Sequence, residues 1–491
     1  MIHPRLNTAL AMSLLLGACT VGPDHETPDV PLPDGWKEAQ ASARGISADE
    51  QWWRAFGEPV LEKLVREARI DNLDAAQAFD RLVQARADLG VSQAELFPSV
   101  DGSGSFTQSG GLGALQSGAG GVTSLGSGTN SVAGTNTASS AGTAGASALT
   151  LSQSWNVGLT SSWEVDLWGK IRRSIETSEA ELGAAEAELA ATRLEILADV
   201  PDSYVDLRTA QARILYAENA VRGYRDTLAL TEARKAGGLL ADTEVVKAEA
   251  SLASAEAQVP PLRAEAARAR RRLAVLTGRN PGELDEVLNA GKPLPTFRGK
   301  ISAGVPADLL RRRPDIVKAE RKLAAATARV GVARAEQLPS VTISGTVGSQ
   351  QFRTGSLTIG GLGTWSIGPT ITVPIFDAGK KRFQTEGKMA QSDEAADAYR
   401  ARVLSALEEA ANAFSVHNAD CKKRDSLSRA VARYADALRF SKELYTKGLT
   451  GFLDVLDAER SLYSNQDNFA NAQQQCVKDV VTIFKALGGG W

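Results

Sequence analysis

Three histidines and three cysteines are scattered through 491 residues. That is too few and too dispersed for a His-rich metal centre. His3 and His25 fall at the extreme N-terminus, which leaves His417 alone in the body of the chain. No Gly-x-Ser-x-Gly elbow and no P-loop occurs. The many Asp and Glu residues are spread along what read as solvated helix faces. No enzyme chemistry is therefore expected. Aromatic residues make up only 6%, so a thick aromatic core is excluded, and the wealth of Ala, Leu, Glu and Arg favours long helices. The formal net charge of −3 advertises no basic face for nucleic acid. After the N-terminal leader no apolar run is long enough for a transmembrane helix. A bilayer could be crossed only by strands.

What is present is a sequence written twice. Residues 87–104 match 328–345 at an offset of 241, with ten of eighteen positions identical, among them Gly90/Gly331, Glu95/Glu336 and Pro98/Pro339. Further on the offset becomes 210, pairing Gly169-Lys170 with Gly379-Lys380, Tyr204 with Phe414, and the run Glu249 to Leu252 with Glu459 to Leu462. Each copy reads as helix, strand, strand and long helical hairpin. The expected division is a signal peptide at 1–18, an extended tether at 19–50, a first repeat at 51–300 and a second at 301–491.

The leader has a positive Arg5, a short apolar stretch from Leu6 to Leu16, and then Leu16-Gly17-Ala18-Cys19. Small residues before a cysteine at this depth read as a lipoprotein cleavage box. Cys19 would then carry diacylglycerol on its thiol and a further acyl chain such as palmitate on its amine, an anchor much firmer than a single chain. Thr20, in place of an Asp, points to the outer membrane. Residues 20–50 are rich in Pro and Asp, as a tether would be.

Strands are expected at about 99–107, 153–166, 340–349 and 365–376. The clearest alternations are Trp155, Val157, Leu159, Ser161, Trp163, Val165 and Trp365, Ile367, Pro369, Ile371, Val373, Ile375. Apolar residues fill one face and Ser, Thr and Asn the other, the pattern of a transmembrane barrel and also of a half-buried sheet. Pro98 to Gly169 is 71 residues but Pro339 to Gly379 only 40. The excess of 31 falls in the Gly/Ser/Ala/Thr stretch 108–150, an insertion suited to an external loop.

The helices are long. From Gly169 to about Arg234 only Pro201 interrupts, which predicts roughly 100 Å of helix with a kink at the proline. Ile171, Ile175, Ser178, Leu182, Ala185, Leu189, Thr192 and Ile196 alternate steps of four and three. In the last helix Val455, Leu462, Phe469, Cys476 and Ile483 form one column of period seven, and Leu456, Tyr463, Ala470, Val477 and Phe484 another. Two such columns suit a helix with neighbours on both sides. The hairpins are expected at about 170–278 and 380–487, turning at 235–241 and 447–451.

Four strands cannot close a barrel, and lipid does not tolerate open edges. Three copies would supply twelve strands and a lumen. The expectation is an α+β membrane protein: a transmembrane β-barrel of four strands per protomer of a trimer, continued by a long periplasmic α-helical barrel, with internal duplication. At this point the chain resembles the TolC-type outer-membrane factors, in particular their lipidated NodT-like branch. The resemblance runs over nearly the whole chain through Cys19-Thr-Val-Gly-Pro-Asp24, Trp52-Trp53, Trp163-Glu-Val-Asp-Leu-Trp-Gly169, Arg311-Arg-Arg-Pro-Asp315, Pro374-Ile-Phe-Asp377, Val455-Leu-Asp-Ala-Glu-Arg460 and Leu487-Gly-Gly-Gly-Trp491. It implies a homotrimeric exit channel for small molecules. The channel works with a periplasmic adaptor and an inner-membrane RND-type pump, and is gated at its periplasmic tip.

Close after the second turn come Leu453, Asp454, Asp457 and Arg460. The resemblance implies that Leu453 and Asp457 form constriction rings and that Arg460 ties neighbouring helices. A plain i,i+3 surface ion pair between Asp457 and Arg460 is the other reading. Gly237, Gly238, Leu239 and Leu240, with Gly448, Leu449 and Thr450, resemble adaptor-docking tips. They would serve equally as helix ends that bury a leucine locally. Cys421 and Cys476 average 448.5, the centre of the second turn. They should lie side by side in the hairpin, and in an oxidising compartment they would form a disulfide. Trp155, Trp163 and Trp365 fit interfacial girdles or core packing. No metal and no cofactor is expected apart from the lipid on Cys19. A protein-secretion duct and a trimeric coiled-coil stalk are the competing functions. The lipobox and tether disfavour the duct, while the paired strands and the duplication disfavour the stalk.

Overall fold

The computed structural model describes residues 20–33, 35–36, 51–111, 150–299, 301–302, 306–354 and 357–490. Cys19, the leader and most of the 108–150 insertion lie outside the described residues. The chain forms two compact units that cut across the repeats, one holding Gln93–Ile171 and Glu336–Ala378, the other Thr20–Ser92, Arg172–Ala335 and Gly379–Trp491.

The first unit is a four-stranded antiparallel sheet in the order β1 (Ser99–Gly111), β2 (Thr150–Val165), β3 (Ser340–Thr354) and β4 (Leu357–Thr372). β1 and β2 run further toward the insertion than expected. β4 starts at Leu357 rather than near 365 and stops at Thr372 rather than 376. Pro374 explains the early stop, because it has no N–H and restricts Val373 before it. Register decides which side chains share a face. Trp155 lies opposite Phe106, Leu159 opposite Val347, Val347 opposite Trp365, and Gly345 opposite Ile367. Each pair brings together members of the apolar alternation, so Val100, Phe106, Trp155, Val157, Leu159, Trp163, Val347, Trp365, Ile367 and Ile371 belong to one face. All ten are exposed, Trp365 to 77%. The opposite face carries Ser105, Asn156, Thr160, Thr346 and Ser366, linked by bonds such as Asn156 Nδ2 to Ser105 Oγ (3.3 Å). Trp163 donates its indole N–H to the Leu96 carbonyl at 2.9 Å, which fixes its polar end. Among the described residues no helix is long and apolar enough to cross a membrane.

The second unit is helical: α1 (Pro59–Asp71), α2 (Leu73–Ala94), α3 (Lys170–Ala236), α4 (Asp242–Glu256), α5 (Val259–Leu276), α6 (Pro314–Ala335), α7 (Lys380–Thr446) and α8 (Phe452–Ala486). The elements reproduce the repeat arithmetic. α2 and α6 have 22 residues each and lie 241 apart, and α3 and α7 have 67 each and lie 210 apart. The return arm of the first hairpin is in two helices, breaking between Glu256 and Val259, where Pro260-Pro261 opens α5 and cannot continue α4. Pro201, where a kink is expected, lies inside α3, which is continuous through it. Val200, Tyr204 and Val205 around it are fully buried, so packing outweighs the local cost of the proline.

The motifs of the resemblance close this unit's core. Trp52 stacks on Phe484 with centroids 4.8 Å apart, and Trp53 meets Trp52 edge-on. Arg313 of the Arg-Arg-Arg-Pro-Asp run is buried, yet all its bonds are productive: it donates to the Ala486 carbonyl (2.9 Å), Asp315 (2.7 Å) and Glu409 (2.5 Å). Burial would push the Asp315 carboxyl up, but Arg313 and Arg402 outweigh it and hold the group low. The segment after Cys19 is extended, as expected of a tether, but it is strapped down. Arg173 of α3 donates to Asp24 at 2.7 Å, and Gly22 touches Gly331 so closely that a Cβ on Gly22 would lie 2.5 Å from the Gly331 Cα.

Cys421 of α7 and Cys476 of α8 are joined as a disulfide, with Cα atoms 5.0 Å apart. His417 Nδ1 lies 3.6 Å from the Cys421 sulfur. The three could ligate a metal only with free thiolates. Closing 55 residues of chain stabilises the fold by about 4 kcal/mol through the unfolded state. Neither cysteine should take up iodoacetamide before reduction, and Cys421→Ser should lower the melting temperature read by circular dichroism. Burial pushes both Asp202 and Asp479 up to about 6. The folded state therefore holds protons that the unfolded chain releases near pH 4, and stability falls as pH rises from about 4 to 6. Asp479→Asn should stabilise the protein by an amount that is nil below pH 4 and full above pH 6, in melts at stepped pH.

Candidate functional site

Both long helices end with the same backbone device. The Gly238 and Leu239 amides donate to the Lys235 and Arg234 carbonyls (2.9 and 3.0 Å), and the Gly448 and Leu449 amides to those of Tyr445 and Leu444 (both 2.9 Å). Gly238 and Gly448 have φ of +73° and +74°, where a side chain would be strained. This closure usually brings the following apolar residue back onto the helix. Here Leu239 is 73% and Leu449 71% exposed, so both leucines are offered outward, one per repeat.

Arg234 joins the two turns. Its guanidinium lies 4.2 Å over the Tyr445 ring and donates to the Tyr445 and Thr446 carbonyls (2.5 and 3.2 Å). A cation thus caps the C-terminus of α7, where the helix dipole favours one.

α8 starts at Phe452 behind Gly451 as N-cap. Asp454 accepts from the Thr450 hydroxyl and from the Gly451 amide (3.2 Å), and these bonds hold its carboxyl below the usual range. Asp454 and Thr450, expected at the gate and the docking turn respectively, are thus engaged with each other at the helix cap. Leu453, Asp457 and Arg460 share one exposed face of α8, with Asp457 and Arg460 3.9 Å apart. They border an open groove of about 830 Å³ that Tyr216, Tyr224 and Tyr463 also line. The ion pair is too exposed to hold the helix by itself.

Near its start α8 is also tied by a buried charge that the sequence reading did not single out as a site. Glu459 is 0% exposed on the opposite face, among Val455, Leu456 and Leu462. It accepts from Thr227 of α3 and Lys442 of α7, each at 2.7 Å, so one carboxylate links three helices. Its second oxygen has no hydrogen-bond partner among the described residues. Burial and then the Glu459 charge push the Tyr224 hydroxyl up to about 12 and the Tyr463 hydroxyl higher still. The signal was a charge four residues after Val455 and three before Leu462, inside an apolar seam.

A family model described as outer membrane efflux protein matches residues 64–279 and 305–489, one match per repeat. The chain belongs to that family. It is similar to nodulation protein T of Rhizobium leguminosarum bv. trifolii, 33% identical over 479 residues that cover 98% of this chain and 96% of the relative. It is 29% identical over 485 residues to the toluene efflux pump outer membrane protein TtgI of Pseudomonas putida, covering 97% of each. Among solved structures it resembles the outer-membrane channel OprN, with a TM-score of 0.81 and 36% identity over 96% of this chain and 100% of that one. The efflux protein is thus an outer-membrane exit channel of a Gram-negative bacterium with a large periplasmic part.

Removing one partner of a buried charge leaves the other uncompensated. Lys442→Met should destabilise the efflux protein by about 1–3 kcal/mol, whereas Glu459→Gln, which removes the charge itself, should cost less. Melting curves of the two variants would reverse this order if Glu459 were hydrated.

Proposed function

We propose that three copies assemble around one lumen and pass small molecules delivered by a periplasmic adaptor and an inner-membrane RND-type pump. The observation that carries this reading is the sheet. Its apolar face is exposed, its other face is Ser- and Thr-rich, and β1 and β4 stand at its two edges. Unpaired edges are too costly in lipid, so β4 of one copy would pair with β1 of the next to give a closed barrel of twelve strands. Its polar inner face would be a wet bore with little means of choosing between compounds, which leaves selection to the pump.

The exposed row Leu453, Asp457 and Arg460 on α8 supports a gate, with carboxylates from three copies converging on an axis. Outward-facing Leu239 and Leu449 support adaptor docking at the two turns. The small-residue box before Cys19, followed by the strapped Gly22 to Asp24, supports a lipid anchor on Cys19. In planar bilayers the purified protein should conduct weakly, and Asp457→Ala combined with Arg460→Ala should raise the single-channel conductance severalfold. An ion-tight protein would defeat the channel, and an unchanged conductance would defeat the gate.

A further inference from the structure

Conduction, gating and docking leave His417 without a role, yet it stands where the chain gathers its scarcest side chains. Of three histidines and three cysteines in the whole sequence, one histidine and two cysteines meet here. His417 precedes Cys421 by one turn of α7, so the two side chains share a helix face. Its Nδ1 and Nε2 lie 3.6 and 3.8 Å from the Cys421 sulfur. Cys476 reaches the same point from α8 and is only 3% exposed. One ring nitrogen and the two sulfurs all lie within 4.8 Å of one another.

That spacing is the one a metal ion imposes. A tetrahedral zinc ion, with bonds of about 2.0 Å to nitrogen and about 2.3 Å to sulfur, sets N and S about 3.6 Å apart and two S atoms about 3.8 Å apart. The histidine already stands at ligand distance from Cys421. The sulfurs have only to part from a bond to a contact, with their Cα atoms 5.0 Å apart. The Arg424 guanidinium, 3.4 Å from the Cys476 sulfur, faces the negative charge that two thiolates would bring, and Asp425 anchors it at 2.6 Å.

We propose that the chain, when its cysteines are reduced, holds one thiophilic cation such as zinc on His417, Cys421 and Cys476. Thiolate and imidazole donors select such an ion over magnesium or calcium. Three protein ligands leave a fourth place for water. The metal and the disulfide are alternatives, because each joins α7 to α8 through the same two sulfurs. A dithiol opens the bridge by exchange: the S–S bond breaks, both sulfurs take up protons, and the dithiol leaves as its own disulfide. The cation then displaces the two thiol protons. A newly exported chain whose cysteines are not yet oxidised is in the same state without the dithiol, and the ion clips its hairpin before the disulfide does. The site lies within one chain, so it stands or falls apart from the assembly.

Full-length protein in detergent, reduced with dithiothreitol and desalted under argon, should retain one zinc ion per chain after a second desalting, and the unreduced protein none. His417→Ala keeps the disulfide, so its fold can be checked by circular dichroism before reduction. It should weaken zinc binding by about tenfold or more in competition with a chromophoric chelator, since even an outer partner of a metal ligand is worth that much. Cys421→Ser with Cys476→Ser should abolish binding, and because this variant keeps Cys19 it reports any ion held at the head of the chain. Bound zinc should also slow the return of the disulfide in air severalfold, read by alkylation and mass spectrometry. Equal zinc on reduced and unreduced protein, zinc kept by the double serine variant, or an unchanged affinity in His417→Ala would each overturn the site. A reduced chain that loses its helical signal and does not regain it with zinc would overturn it as well.

Discussion

Backbone amides and carbonyls at the rim of a sheet must find partners, and inside a hydrocarbon layer water cannot supply them. This single requirement orders the rest of the molecule. The sheet buries neither face among its own residues. It turns Trp365, Ile367 and Ile371 outward while Thr346 and Ser366 line the other side. A soluble domain with so many bare apolar side chains on one face would aggregate. In the barrel proposed above, that face would instead be solvated by lipid.

The helical unit gathers its strength where the repeats meet. Trp52 and Phe484 stack, Arg313 bonds three elements, and the disulfide joins the two helices that run farthest from this core. Nearer the turns the packing thins, and Glu459 with Thr227 and Lys442 takes over. Polar joints of this kind depend on a few atoms, while an apolar core depends on many. The turn region therefore rests on a smaller apolar cluster, around Tyr445 and Phe452, together with this polar joint.

Much of this was legible in the sequence because it was periodic or arithmetical. The offsets of 241 and 210 recur as helix bounds to the residue. The midpoint rule placed Cys421 beside Cys476 because an antiparallel hairpin has one centre. The strand alternations gave the right face, since register preserves parity across the sheet. What failed was less regular. The start of β4 has Gly360, Gly361 and Gly363 and no alternation to read. The break before Pro260-Pro261 lies inside a span read only as a hairpin over about 170–278. Asp454 stands three residues after the Gly451 cap, the place of a capping carboxylate, a role not read beside the one expected for it. The strap of Gly22 and Asp24 on Gly331 and Arg173 joins positions far apart in sequence, and no local pattern announces it.

The strap also settles a question of ownership. Asp24 needs a cation to hold it, and α3 provides Arg173. At the matching place on α7 stands Phe383, which offers no charge. The N-terminal arm therefore has its berth on the helical body of its own chain. An arm held in this way cannot swing freely of the body it precedes.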